Sequence, residues 1–89
     1  MRLRIKIYGI VQGVFFRTNA MEKSTKLGLK GWVMNNKDGS VEILADGKEE
    51  KIKELVEWCK IGPGLARIDR IEITEEKPKE KLHNFKIRY

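Results

Sequence analysis

Arg17 closes a glycine-bounded turn, Gly9-Ile10-Val11-Gln12-Gly13-Val14-Phe15-Phe16-Arg17, that leads from an alternating apolar run into a segment able to form a helix. A turn from a strand into a helix start directs successive backbone N–H groups into one concavity, with the positive end of the helix dipole behind them. An arginine at the lip adds a planar fork of donors shaped for a phosphoryl group. The candidate anion-binding amides are those of Gln12, Gly13, Val14, Phe15, Phe16 and Arg17, and Gly13 permits the bend that brings the chain close to an anion. By spacing alone, such a stretch is more often an ordinary turn with a solvated arginine.

Asn35 is the second candidate. An amide can accept a hydrogen bond from a water and donate one to a substrate oxygen, so it can aim a nucleophile without ionising. By residue type alone, however, Asn35-Asn36 reads as a pair of turn residues opening a hairpin, as asparagines often do. Other reactive side chains look inert. His83, the only histidine, has no nucleophile or ligand partner in its stretch and reads as an exposed connector residue. Cys59 falls on an apolar helical stripe and reads as a core thiol. Trp32 and Trp58 read as packing residues, and no Cys/His spacing suits zinc nor any carboxylate set Mg²⁺.

The elements that would position these groups follow from periodicity. Leu3, Ile5 and Ile7 alternate with Arg4, Lys6 and Tyr8 in a half-buried first strand. A helix is expected from about Thr18 to Leu27, with Ala20, Met21, Ser24 and Leu27 near one face and Gly28 as a left-handed cap. Strands are expected from about Lys30 to Asn36 and Ser40 to Ala45, joined by the hairpin turn Asn36-Lys37-Asp38-Gly39. Asp46 with Glu49 reads as a capping box for a second helix whose buried stripe is Ile52, Leu55, Val56 and Cys59, stopped by Gly62 and Pro63. A fourth strand should run from about Ala66 to Ile73, where the apolar phase slips between Ile68 and Ile71 and implies a bulge near Asp69. Glu75 to Lys81 is a charged connector, and Phe85 to Arg88 alternates as a short last strand. This order predicts an α+β, ferredoxin-like split βαβ sandwich: an antiparallel sheet of four main strands plus a short C-terminal strand, with two helices on one face.

Val11 to Arg17, together with Gly31-Trp32-Val33-Met34-Asn35, Asp38-Gly39-Ser40-Val41-Glu42 and Gly62-Pro63-Gly64-Leu65-Ala66, closely resembles the acylphosphatase family, in order and at matching spacing. The resemblance covers essentially the whole chain as a single acylphosphatase-like domain, residues 1–89. It implies the same fold, hydrolysis of acyl phosphates to carboxylate and phosphate, Arg17 as the phosphate-binding catalytic residue and Asn35 as the water-orienting one. It also leaves Asn36 to the turn. Phe15 departs from the glycine that many members carry there, which would narrow the mouth of the site. Thr18, Asn19, Ala20 and Ser24 depart from the family pattern at its edge.

The bulk composition bounds the alternatives. With 89 residues and 40% hydrophobic content, the chain is one small folded domain. No apolar run approaches membrane-spanning length, Met1-Arg2-Leu3-Arg4 does not read as a signal peptide, and a lone cysteine calls for no oxidising compartment, so a cytoplasmic location is expected. The charge of +6 suits a phosphorylated metabolite and nucleic acid alike. The 36% charged fraction leans toward heat adaptation. The runner-up is a nucleic-acid or phosphate-binding module without catalysis, but its central strands should interleave aromatic and basic residues, and Val41-Glu42-Ile43-Leu44 does not. A third reading, an acylphosphatase-like domain that has lost its chemistry, is disfavoured by the presence of both Arg17 and Asn35. The expected partners are therefore a small-molecule acyl phosphate and inorganic phosphate, without cofactor, metal, membrane or nucleic acid, on a monomer.

Overall fold

The computed structural model describes residues 1–89 in the order β1 (Arg2–Ile10), α1 (Phe16–Lys26), β2 (Lys30–Asn35), β3 (Val41–Asp46), α2 (Glu49–Ile61), β4 (Arg67–Glu75) and β5 (Phe85–Arg88). Ile5 and Ile7 of β1 are fully buried and pair across the sheet with Ile43 and Val41 of β3, also fully buried. Val33 of β2 continues this apolar face, and Phe16, Ala20, Ile52, Leu55 and Cys59 of the helices close it into one core. Each such aliphatic side chain contributes about 1.5–3 kcal/mol of burial. Helix α1 lies against β2 and β5, and α2 against β1 and β4. The Phe16 and Trp58 rings join the two helices, with centroids 5.4 Å apart.

The sheet order is β4-β1-β3-β2-β5, and the four main strands pair antiparallel, as the alternation predicts. The short last strand differs in direction: β5 joins β2 in parallel, with Phe85 opposite Gly31, so the complete sheet is mixed. The cause is topological. Strands β4 and β5 occupy opposite edges, so the chain crosses to the far side after Glu75 instead of folding back on its neighbour. Arg2 fastens that crossing. Its Nε donates to Asp46 and its Nη2 to the Glu80 carbonyl, each at 2.8 Å, and the residue is only 4% exposed.

The same contact overturns the expected cap of α2. Asp46 is held by Arg2 at the end of β3, and Lys48 is the N-cap without a side-chain cap bond. Helix α1 also begins at Phe16, ahead of the expected Thr18, because its N-cap is Phe15, which carries no capping side chain and leaves no sequence signal. At its other end, the Leu29 N–H reaches the Ser24 carbonyl at 2.9 Å and that of Gly28 reaches Thr25 at 3.0 Å, the left-handed closure expected at Gly28. The expected bulge in β4 is present: Tyr8 pairs with Arg70 and Gly9 with Ile68, leaving Asp69 unpaired. A Cβ on Gly9 would stand 2.0 Å from the Arg67 carbonyl oxygen, so the bulge requires glycine there.

Candidate active site

The turn between β1 and α1 carries backbone donors that have no protein partner. Phe15 takes the left-handed conformation (φ 62°, ψ 22°), Gly13 has φ 75°, and the first turn of α1 contains no acidic residue. Among the backbone hydrogen bonds of turns, loops and caps, none is donated by an amide from Gln12 to Arg17; the first to donate is Asn19, to the Phe15 carbonyl at 3.1 Å. Asn19 Nδ2 donates to that same oxygen at 2.9 Å, which fixes the peptide plane at the helix start. These free N–H groups lie where the helix dipole is positive, a setting that favours an anion.

The turn is stitched to the β2–β3 hairpin by Gln12, whose Nε2 donates to the carbonyls of Asn36 at 2.8 Å and Ser40 at 2.9 Å. That hairpin carries Asn35. The two neighbouring asparagines have different surroundings. Asn36 Nδ2 donates to Ser40 Oγ at 3.0 Å and to Glu42 Oε1 at 3.1 Å, while its backbone N–H meets the Ser40 carbonyl at 2.8 Å. Asn35 Oδ1 is buried and has no hydrogen-bond partner in the protein. Asp38 completes the turn by accepting from the Ser40 hydroxyl at 2.6 Å and the Ser40 amide at 3.0 Å, and these two bonds, hydroxyl first, lower its carboxyl to about 2.

Arg17 lies in the first turn of α1, half-buried, and forms none of the ion pairs of the fold. Its guanidinium rests 5.1 Å from the ring of Tyr89. A cleft of about 210 Å³ brings the parts together; it is lined by Val11, Gly13, Phe15, Phe16, Arg17, Thr18, Asn35, Ile87 and Tyr89. Arg17 and Asn35, 18 positions apart in the sequence, thus share one cavity with the turn. Gln12 and Val14 do not line it: the Gln12 side chain grips the hairpin and Val14 packs on the core. Phe16 does line it while being 1% exposed, so it anchors the turn to the core as well.

Tyr89, Ile87 and the side chain of Gln12 escaped the sequence reading. For Ile87 and Tyr89 the missing fact was the parallel seating of β5 beside β2, which no local pattern announces. Elsewhere, His83 is exposed, burial pushes the Cys59 thiol up to about 12, and no three His, Cys, Asp or Glu side chains converge. No helix is long and apolar enough to cross a membrane.

Comparison with known proteins adds an independent line. The family model described as acylphosphatase matches residues 3–87. A protein of Thermococcus kodakarensis named acylphosphatase is 44% identical over 87 residues, covering 98% of this chain and 94% of its own length. One from Aeropyrum pernix with the same name is 41% identical over 90 residues, covering 100% and 89% respectively. Among solved structures, the acylphosphatase of Bacillus subtilis superposes with a TM-score of 0.95 at 41% identity, over 99% of this chain and 98% of that one.

Proposed function

This chain belongs to the acylphosphatase family and is an enzyme, a hydrolase of acyl phosphates; we propose that Arg17 and the amides of Gln12 to Arg17 bind the phosphoryl group while Asn35 positions the attacking water. The observation that carries this reading is the convergence of Arg17, Asn35 and the donor-rich turn on one cleft. In the proposed reaction, the fork of Arg17 and the free N–H groups hold the phosphoryl oxygens and balance the charge that grows on them during transfer. Asn35 Oδ1, buried and unpartnered, accepts a hydrogen bond from the water and aims its oxygen at phosphorus. The new P–O bond forms as the bond from phosphorus to the acyl oxygen breaks. The carboxylate departs with the electron pair, and the protons of the water end on the phosphate product and solvent. A mixed anhydride has a leaving group that needs little protonation, so neither a strong base nor a metal is required of this site.

A base-stacking nucleic-acid module is the weaker reading because the open face of the sheet holds its aromatics under cations. Trp32 is 8% exposed beneath Arg4 and Arg88, and Arg70 stands 4.0 Å from the ring of Tyr8. Arg4 itself is held between Glu76 and Glu42, and Arg70 pairs with Glu72 at 3.3 Å. The deciding experiment is release of phosphate from benzoyl or acetyl phosphate by EDTA-treated protein. Turnover is expected in the presence of the chelator. Phosphate binding without turnover would instead leave a binding module, and activity that requires Mg²⁺ would remove the metal-free mechanism.

A further inference from the structure

We propose that Phe15 is the specificity-determining residue of the cleft and selects acyl phosphates whose acyl group presents a flat, apolar face, an inference that rests on the hydrolysis proposed above. Phe15 is the only residue other than glycine with positive φ in the chain, at 62°. A bulky L-residue is rare in this left-handed region and strained in it, whereas glycine is not. The fold does not offset that strain by burying the ring, which is 79% exposed. Its neighbour Phe16, by contrast, is 1% exposed and has its place in the core. A strained, exposed aromatic at a site is best accounted for by what it meets there.

What it meets is set by position. Phe15 lines the same cleft as Arg17 and Asn35, and Val11, Ile87 and Tyr89 supply further apolar lining. Tyr89 is 98% exposed, with its ring facing the Arg17 guanidinium. Once the phosphoryl group sits on the amides of the turn, the acyl group must extend past these side chains to leave the cleft. An aryl group can stack or meet edge-on with an exposed ring, while an acetyl group is too small to do so. The contact is made equally in the ground and transition states, so it should appear in KM more than in kcat.

The test compares benzoyl phosphate and acetyl phosphate as substrates of the wild-type chain, Phe15→Gly and Phe15→Ala, with inhibition by inorganic phosphate and thermal unfolding measured alongside. Phe15→Gly is expected to raise KM for benzoyl phosphate by about two- to tenfold, the scale of one aromatic contact. The readout is the ratio of the two KM values, benzoyl over acetyl, which should rise; phosphate inhibition and Tm report any change in the turn that carries the Phe15 amide. Phe15→Ala should shift the substrate ratio in the same direction while keeping a side chain in the turn. An unchanged ratio in both variants overturns the inference, as does an equal loss for both substrates together with weaker phosphate inhibition, which would tie the Phe15 ring to phosphate binding and not to the acyl group. A wild-type chain that hydrolyses neither compound overturns the hydrolytic reading and this one with it; hydrolysis with an unchanged ratio overturns this one alone.

Discussion

Replacing Arg17 should separate activity from stability. The guanidinium has no carboxylate partner to leave stranded, and its one aromatic contact is with Tyr89, which is 98% exposed. An exposed contact of that kind is worth about 0.5–1 kcal/mol. Arg17→Ala should therefore lower stability by no more than about 1 kcal/mol, or roughly 4–8 °C in Tm for a domain of this size. Activity should fall much further. Removing one preorganised donor aimed at developing charge costs about two to three orders of magnitude, and that loss is expected here in kcat/KM. Arg17→Lys retains charge without the planar fork, so it should not restore turnover.

Ligand protection provides a second readout. Inorganic phosphate at ten times its Kd should stabilise the wild-type fold by about 1.4 kcal/mol, raising Tm by roughly 6–11 °C. In Arg17→Ala that protection should shrink toward zero at the same concentration, although the bare amides remain. The assay is phosphate release from benzoyl phosphate, paired with thermal scans across a phosphate series. Near-normal turnover in Arg17→Ala would refute the mechanism. Lost turnover with full phosphate protection would show that the amides bind the anion alone and that Arg17 acts elsewhere.

Asn35→Ala should reduce kcat with little change in phosphate inhibition, whereas Asn36→Ala, which removes two side-chain hydrogen bonds, should mainly cost about 1–2 kcal/mol of stability; equal kcat losses with unchanged melting would show the roles to be divided wrongly. Ser24 Oγ is fully buried without a partner, so Ser24→Ala should leave Tm unchanged or raise it, and a fall of several degrees would mean that the hydroxyl is satisfied in solution. Asp38 is lowered to about 2 by Ser40, and Glu76 is lowered chiefly by its bond to Arg4. Depressed carboxyls add stability above their unfolded values and lose it below, so denaturant midpoints should hold above about pH 5 and fall from there toward about pH 2; Asp38→Asn should flatten part of that slope, and an unaltered slope would exclude Asp38 as a source.

The fold was largely legible because its signals are local. Alternation placed Ile5 and Ile7, helical spacing placed Ile52, Leu55, Val56 and Cys59, and a slip in phase placed the bulge at Asp69. The failures are failures of locality. Asp46 looks like a helix cap when only its neighbours are considered, but Arg2, 44 positions away, engages its carboxylate first. The direction of β5 depends on which edge of the sheet remains open, and residues 85–88 carry no trace of that. For the candidate site, the residue types suggested an anion cradle, but residue type alone made turn residues of both Asn35 and Asn36; only the family resemblance divided them, and their different hydrogen-bond surroundings were not legible.

That distinction shows how the fold makes the cleft. A strand alternates its side chains between faces, so adjacent asparagines at its end must point in opposite directions. Asn36 falls on the open side, where Ser40 and Glu42 receive it, and Glu42 is in turn held by Arg4, which also grips Glu76. Asn35 falls on the helix side, where the turn after β1 stands and Gln12 clamps turn to hairpin through two carbonyls. The polar network therefore satisfies the neighbour and holds the hairpin rigidly, while the residue facing the cleft keeps a buried acceptor free. An unpaired buried amide oxygen costs about 1–3 kcal/mol in a folded chain. Tightening Asn36 and freeing Asn35 are thus two consequences of a single strand ending one residue apart on two faces, and moving the hairpin register by one would exchange them.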